Sequence, residues 1–188
     1  MASSGTIIGT KVKNTAGTRS IWIQFEWQTT NKNVATNKST ISYTLKLVCE
    51  TSLSFSARKS WEMSIDGTES SGTYSGGASG SGSVSNPIIK VITTGTKEIE
   101  HNSDGSKTFN ISASFDIKID WSDSGYLKTL YIPASAITLD TIPRVFVKVG
   151  GTDGSWKAGT IYVKDGPLGS GSWNQGTVKV SDGTAWKP

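Results

Sequence analysis

The chain has 188 residues, room for one full domain and a small appendage. Hydrophobic residues are 35% of it and charged residues 18%; Ser, Thr and 21 Gly fill the difference, which favours turns and strands, and seven Trp argue against disorder. The net charge of +4 is thinly spread, with 13 Lys/Arg against 12 Asp/Glu in residues 1–141 and six against three in 142–188, so no surface is basic enough to track a phosphate backbone.

The start, MASSGTIIGT, lacks the basic head and apolar run of a signal peptide. No apolar run approaches the ~20 residues of a membrane helix, so synthesis in a cytoplasm without membrane insertion is expected. The first strong element is RSIWIQFEWQTT, where Ile21, Ile23, Phe25 and Trp27 alternate with Trp22, Gln24, Glu26 and Gln28. Trp22 lies on the face opposite Ile21, so this strand is either buried on both sides or offers an aromatic to a partner. In SYTLKLVCET, Cys49 shares a face with Ile41, Tyr43, Leu45 and Leu47 and reads as a small core residue. A lone cysteine rules out an intrachain disulfide and a cysteine zinc site.

SARKSWEMSIDG alternates through Trp61, Met63 and Ile65 into an Asp66-Gly67 turn. The low-complexity segment 69–86, ESSGTYSGGASGSGSVSN, has linker composition and is expected to lie as a long loop against a neighbour. The longest alternation is SKTFNISASFDIKIDW. It places Phe109, Ile111, Ala113, Phe115, Ile117 and Ile119 inward and Asn110, Ser112, Ser114, Asp116 and Lys118 outward. YLKTLYI, 126–132, reads as an edge strand that neighbouring subunits would cover.

A boundary falls near LDTIPR. Beyond it Ser155-Trp156, Gly159-Thr160 and Val163 recur seventeen residues later as Ser172-Trp173, Gly176-Thr177 and Val180, and Trp186 closes a third unit. Loops of varying length precede each Trp, as in three hairpin-like units. The expected architecture is all-β: an antiparallel, jelly-roll-like β-sandwich domain at 1–141, then a small C-terminal module of short Trp-containing repeats at 142–188. A unit of that size is marginal alone and should dock on the first domain or on another chain.

Catalytic chemistry has little to draw on. His101 is the only histidine, and in EIEHNSDGSKTF it sits beside a turn as an anchor or a solvent-facing group. Glu98 and Glu100 share one strand face at a gap of roughly 7 Å, which suits an inverting glycosidase. Adjacent acids on a surface strand are common, however, and no aromatic lining accompanies them. There is no second His, no paired Cys and no calcium loop, so neither metal nor cofactor is expected, and the chain reads as a non-enzyme. The better lead is aromatic: Trp156, Tyr162, Trp173 and Trp186 are the candidate contacts for a glycan or a partner, since pyranose C–H groups stack on π faces. Core packing of the short hairpins is the competing role for the repeat tryptophans.

Four motifs in order carry a resemblance. They are Asn37 to Ile41, Trp61 to Gly67 (WEMSIDG), His101 to Lys107 (HNSDGSK) and Leu139 to Arg144 (LDTIPR). Together they resemble tail-associated structural proteins of long-tailed, siphovirus-type bacteriophages of Gram-positive hosts. The C-terminal units look like the short repeats that end many phage tail and fibre proteins. The resemblance implies a virion protein of the tail tip or fibre, made in the host cytoplasm and homo-oligomeric. Its partners would be other virion proteins, with host cell-wall polysaccharide as the candidate ligand. It carries over no catalytic residue and implies no cofactor. The alternatives are a free-standing carbohydrate-binding module, or a capsid or neck decoration protein without a host ligand.

Overall fold

A computed structural model describes residues 3–14, 16–55, 57–121 and 126–143, and beyond them the backbone of strand segments within 145–187. All the described elements are strands, and every pairing is antiparallel. The first sheet runs β1 (Ser4–Ile8), β3 (Ser20–Asn33), β4 (Lys38–Cys49), β7 (Ile88–Glu100); β2 (Val12–Lys13) also pairs with β3. The second runs β11 (Leu130–Thr138), β8 (Thr108–Phe115), β5 (Lys59–Ile65), β6 (Thr68–Tyr74). A ribbon of β9 (Ile119–Asp120) and β10 (Tyr126–Leu127) follows β8.

Period-2 patterning decides which side chains meet. Ile21, Ile23, Phe25 and Trp27 from β3, Ile41, Leu45, Leu47 and Cys49 from β4, and Met63, Ile65, Ile111, Ala113, Phe115, Leu130 and Ile132 from the second sheet form one continuous core. Both flanks are tied across the layers. The Lys97 ammonium donates to Thr68 Oγ1 at 2.8 Å on one side, and the Thr10 N–H donates to the Tyr131 carbonyl at 3.0 Å on the other. Part of the β11 edge is therefore capped by the chain's own N-terminal region, and Tyr126–Leu127 pair with Ile119–Asp120, where subunit pairing was expected for 126–132.

Three strand glycines lie in register with aromatics. Gly5, Gly72 and Gly95 on β1, β6 and β7 stand opposite Trp27, Trp61 and Tyr43. A Cβ at Gly72 would come within 2.7 Å of the Trp61 ring, and one at Gly95 within 2.5 Å of the Tyr43 hydroxyl. The bare glycine leaves room for the neighbouring ring to lie across the strand. The turn between β5 and β6 uses Asp66 at φ 50° and Gly67 at φ 73°, the two positive angles a two-residue hairpin with matching twist requires.

Two expectations need amendment. The alternation through Ile119 predicts one strand, and all its inward residues are buried, but β8 ends at Phe115. Lys118 adopts φ 46°, and the Ile117 N–H turns back to the Phe115 carbonyl at 3.0 Å, so burial continues while pairing stops. The first third of the low-complexity segment is strand: Glu69–Tyr74 belong to β6, because facing Trp61 asks for glycine and small polar residues. Its remainder is pinned at Ala78, fully buried and doubly hydrogen-bonded to Leu53 at 2.8 and 2.7 Å, while Tyr74 Oη donates to the Gly77 carbonyl.

After Ile142 the backbone forms three two-stranded ribbons: β12 (Val145–Lys148) with β13 (Trp156–Gly159), β14 (Tyr162–Lys164) with β15 (Trp173–Gln175), and β16 (Val180–Ser181) with β17 (Trp186–Lys187). Each repeat Trp opens the second strand of its ribbon.

Candidate functional site

The four sequence motifs converge on one end of the two sheets. Asn37 takes a left-handed φ of 57° at the start of β4, and its Nδ2 donates to the carbonyls of His101 and Asn102 at 2.9 and 2.8 Å. The His101 N–H returns a bond to the Asn37 carbonyl at 3.0 Å. Lys107 pairs with Asp66 of the β5–β6 turn at 2.9 Å. The Leu139 N–H donates to the Lys107 carbonyl and the Ile142 N–H to that of Gly105, at 3.0 and 2.9 Å. Asp140 closes the set on Lys32 at 2.8 Å, which holds its carboxyl below the usual aspartate range. The motifs are a junction that locks β4, β7, β5 and β11 together.

His101 is the centre of that junction. Its Nδ1 lies 2.7 Å from the Gly105 carbonyl and its Nε2 2.8 Å from Ser39 Oγ, with the ring and the serine both buried. A carbonyl only accepts, so Nδ1 donates to it, and in the neutral ring Nε2 accepts from the serine hydroxyl. A histidine beside a hydroxyl resembles half of a nucleophilic triad, but its second nitrogen meets a backbone carbonyl, where a triad has an acid. Ser39 is also fully buried.

The other residues singled out in the sequence are dispersed. Glu98 and Glu100 lie exposed on the outer side of edge strand β7, with Glu98 3.4 Å from Lys38. Trp22 is buried on the outer side of the first sheet, beside the buried Val48 opposite it and with Lys11 Nζ 4.2 Å from its ring centroid, so β3 is covered on both sides there. Cys49 is fully buried, and burial pushes its thiol up to about 12. The side chains of Trp156, Tyr162, Trp173 and Trp186 lie outside the described residues.

A feature the sequence reading passed over is a trough of about 430 Å³ on the outer side of the second sheet. Ladder register builds it in two rows, Tyr131–Ser114–Glu62–Ser71 and Ser112–Ser64–Glu69. Serines form the floor, so the larger Tyr131, Glu62 and Glu69 stand as walls. Tyr131 is 56% exposed, flanked along its strand by the buried Leu130 and Ile132. The β11 register shifts between Ile132 and Ser135, which bends this edge beside Ser112. The signal in the sequence was the outward series Ser112 and Ser114 on a central strand, where larger polar side chains are the more usual cover.

Among the described residues, no group of three or more His, Cys, Asp or Glu is placed to hold a metal ion. Nor, among the described residues, is any helix long and apolar enough to cross a membrane. No curated protein and no solved structure matches the chain. One family model does, described as a siphovirus protein of unknown function (DUF859), and it spans residues 14–160, from just before β3 through all four motifs. The chain belongs to this siphovirus protein family.

Proposed function

We propose that the chain is a non-enzymatic structural protein of the virion, placed at the tail tip or fibre and contributing to attachment on a host-surface glycan. The observation that carries this reading is how the family's motif residues are used: His101, Ser39, Asn37, Lys107 and Asp66 are committed to bonds within the chain. What that leaves is a stiff scaffold with an open polar trough. Two antiparallel sheets over one core support a β-sandwich, and the loops joining β4 to β5, β6 to β7 and β7 to β8 each cross between layers, as wrapped sandwiches do. The ribbons of 142–188 are read as a separate small module that docks on a virion partner or a second copy.

Proteomics and immunogold labelling of purified particles test the reading. Stoichiometric recovery of the chain with label at the distal tail supports it; absence from particles, or label confined to the head, refutes it. The trough equally suits a free-standing carbohydrate-binding module, which would bind sugar and be missing from the virion.

A further inference from the structure

We propose that the trough on the second sheet binds an amine-bearing glycan, a chain of hexosamine units with free ammonium groups. The inference rests on the attachment reading and names its site and ligand class. Three observations combine. The first is shape: a volume of about 430 Å³ is the size of a small-ligand site, and its length across four strands suits a chain of a few sugar units. The second is the wall at Tyr131, an aromatic on an otherwise polar surface, where a pyranose can stack its C–H face. The serine floor offers hydroxyls that both donate and accept toward sugar hydroxyls.

The third observation is charge. Glu62 and Glu69 both line the trough, and its described lining contains no Lys, Arg or His. Neither carboxylate makes an ion pair or side-chain hydrogen bond among the described residues, whereas Glu26, Asp66, Asp116 and Asp140 are each paired with a lysine. Glu62 on β5 and Glu69 on β6 are diagonal neighbours on one face, roughly 7 Å apart at the backbone, close enough to share one ammonium group. A phosphate polymer or an acidic polysaccharide would meet uncompensated like charge there.

The test is a calorimetric titration of the full chain with a glucosamine tetramer and, separately, with its fully N-acetylated counterpart. Saturable binding of the free amine form is expected, weakened roughly tenfold by acetylation and by Tyr131→Ala, and several-fold by Glu62→Gln or Glu69→Gln. Tyr131→Phe, which keeps the stacking face, should bind close to the parent. Equal affinity for both tetramers with unchanged Glu→Gln variants overturns ammonium recognition; no heat with either at about 5 mM overturns the site. A pull-down on intact host cells separates this from the attachment reading. Cell binding that survives Tyr131→Ala and both Glu→Gln changes leaves attachment standing and removes the trough; no cell binding by the parent chain removes attachment itself.

Discussion

His101 and Ser39 meet through a 2.8 Å hydrogen bond buried between the ends of β4 and β7. The serine belongs to one family motif and the histidine to another, 62 positions apart, so the bond ties together segments that the chain must bring in from a distance. On the far side of the ring, Gly105 at φ 83° turns its carbonyl toward Nδ1.

Removing that ring strands the buried Ser39 hydroxyl and takes from the Gly105 carbonyl one of its two donors, leaving it the Ile142 N–H. His101→Ala should cost about 2–4 kcal/mol in urea unfolding, and Ser39→Ala about 1 kcal/mol, since alanine there leaves only one nitrogen unmet. A His101→Ala protein that unfolds at the parent's midpoint would mean the junction is held by other contacts.

The glycine–aromatic pairs predict a steric penalty. Gly72→Ala sets a methyl within 2.7 Å of the Trp61 ring, and the indole must tilt away from its strand. A loss of about 1–3 kcal/mol is expected, accompanied by a change in tryptophan fluorescence. In the double variant with Trp61→Ala the two losses should fall short of their sum, because the clash is gone. Strict additivity would show that ring and glycine do not touch in solution.

Acid should weaken the fold from its ion pairs. Hydrogen bonding to Lys46 lowers the carboxyl of Glu26, and bonding to Lys118 lowers that of Asp116. A folded pKa below the unfolded value contributes stability that is complete above the unfolded pKa and disappears as pH falls through the folded one. Stability should therefore hold from neutrality to about pH 5 and decline below about pH 4. Glu26→Gln should flatten that decline; an unaltered acid limb would assign it to other carboxylates. Both groups are partly solvated, so each effect should be small.

Cys49 should be inert in the native protein. With its thiol fully buried and raised to about 12, a disulfide reagent at pH 8 should label it only in denaturant. Fast labelling of the folded chain would place Cys49 at a surface that opens easily.

The trough came from register. Ser112, Ser114, Ser64, Glu62 and Glu69 are legible as outward residues one strand at a time, yet their adjacency depends on β8 lying between β5 and β11. Tyr131 joins them through its pairing with Ser114, and the segment around it looked like a bare edge because the Thr10 bond that caps it comes from more than a hundred residues earlier. His101 was recognisable as a turn anchor from Asn102 to Gly105, but its serine partner was not, since nothing local connects positions 39 and 101.

Local rules sufficed wherever a residue's environment is set by its own strand. Alternation marked Ile21, Phe25, Leu45, Met63, Ile111 and Phe115 as core, and Asp66-Gly67 announced its turn, because side-chain period and backbone sterics act over a few residues. Tertiary structure alone decided which strands are neighbours, that Trp22 is covered on the far side of β3, and that three distant motifs close on the turn from His101 to Lys107. Those outcomes depend on long-range pairing and on the packing of one sheet over the other, and such contacts leave no periodic trace in the chain.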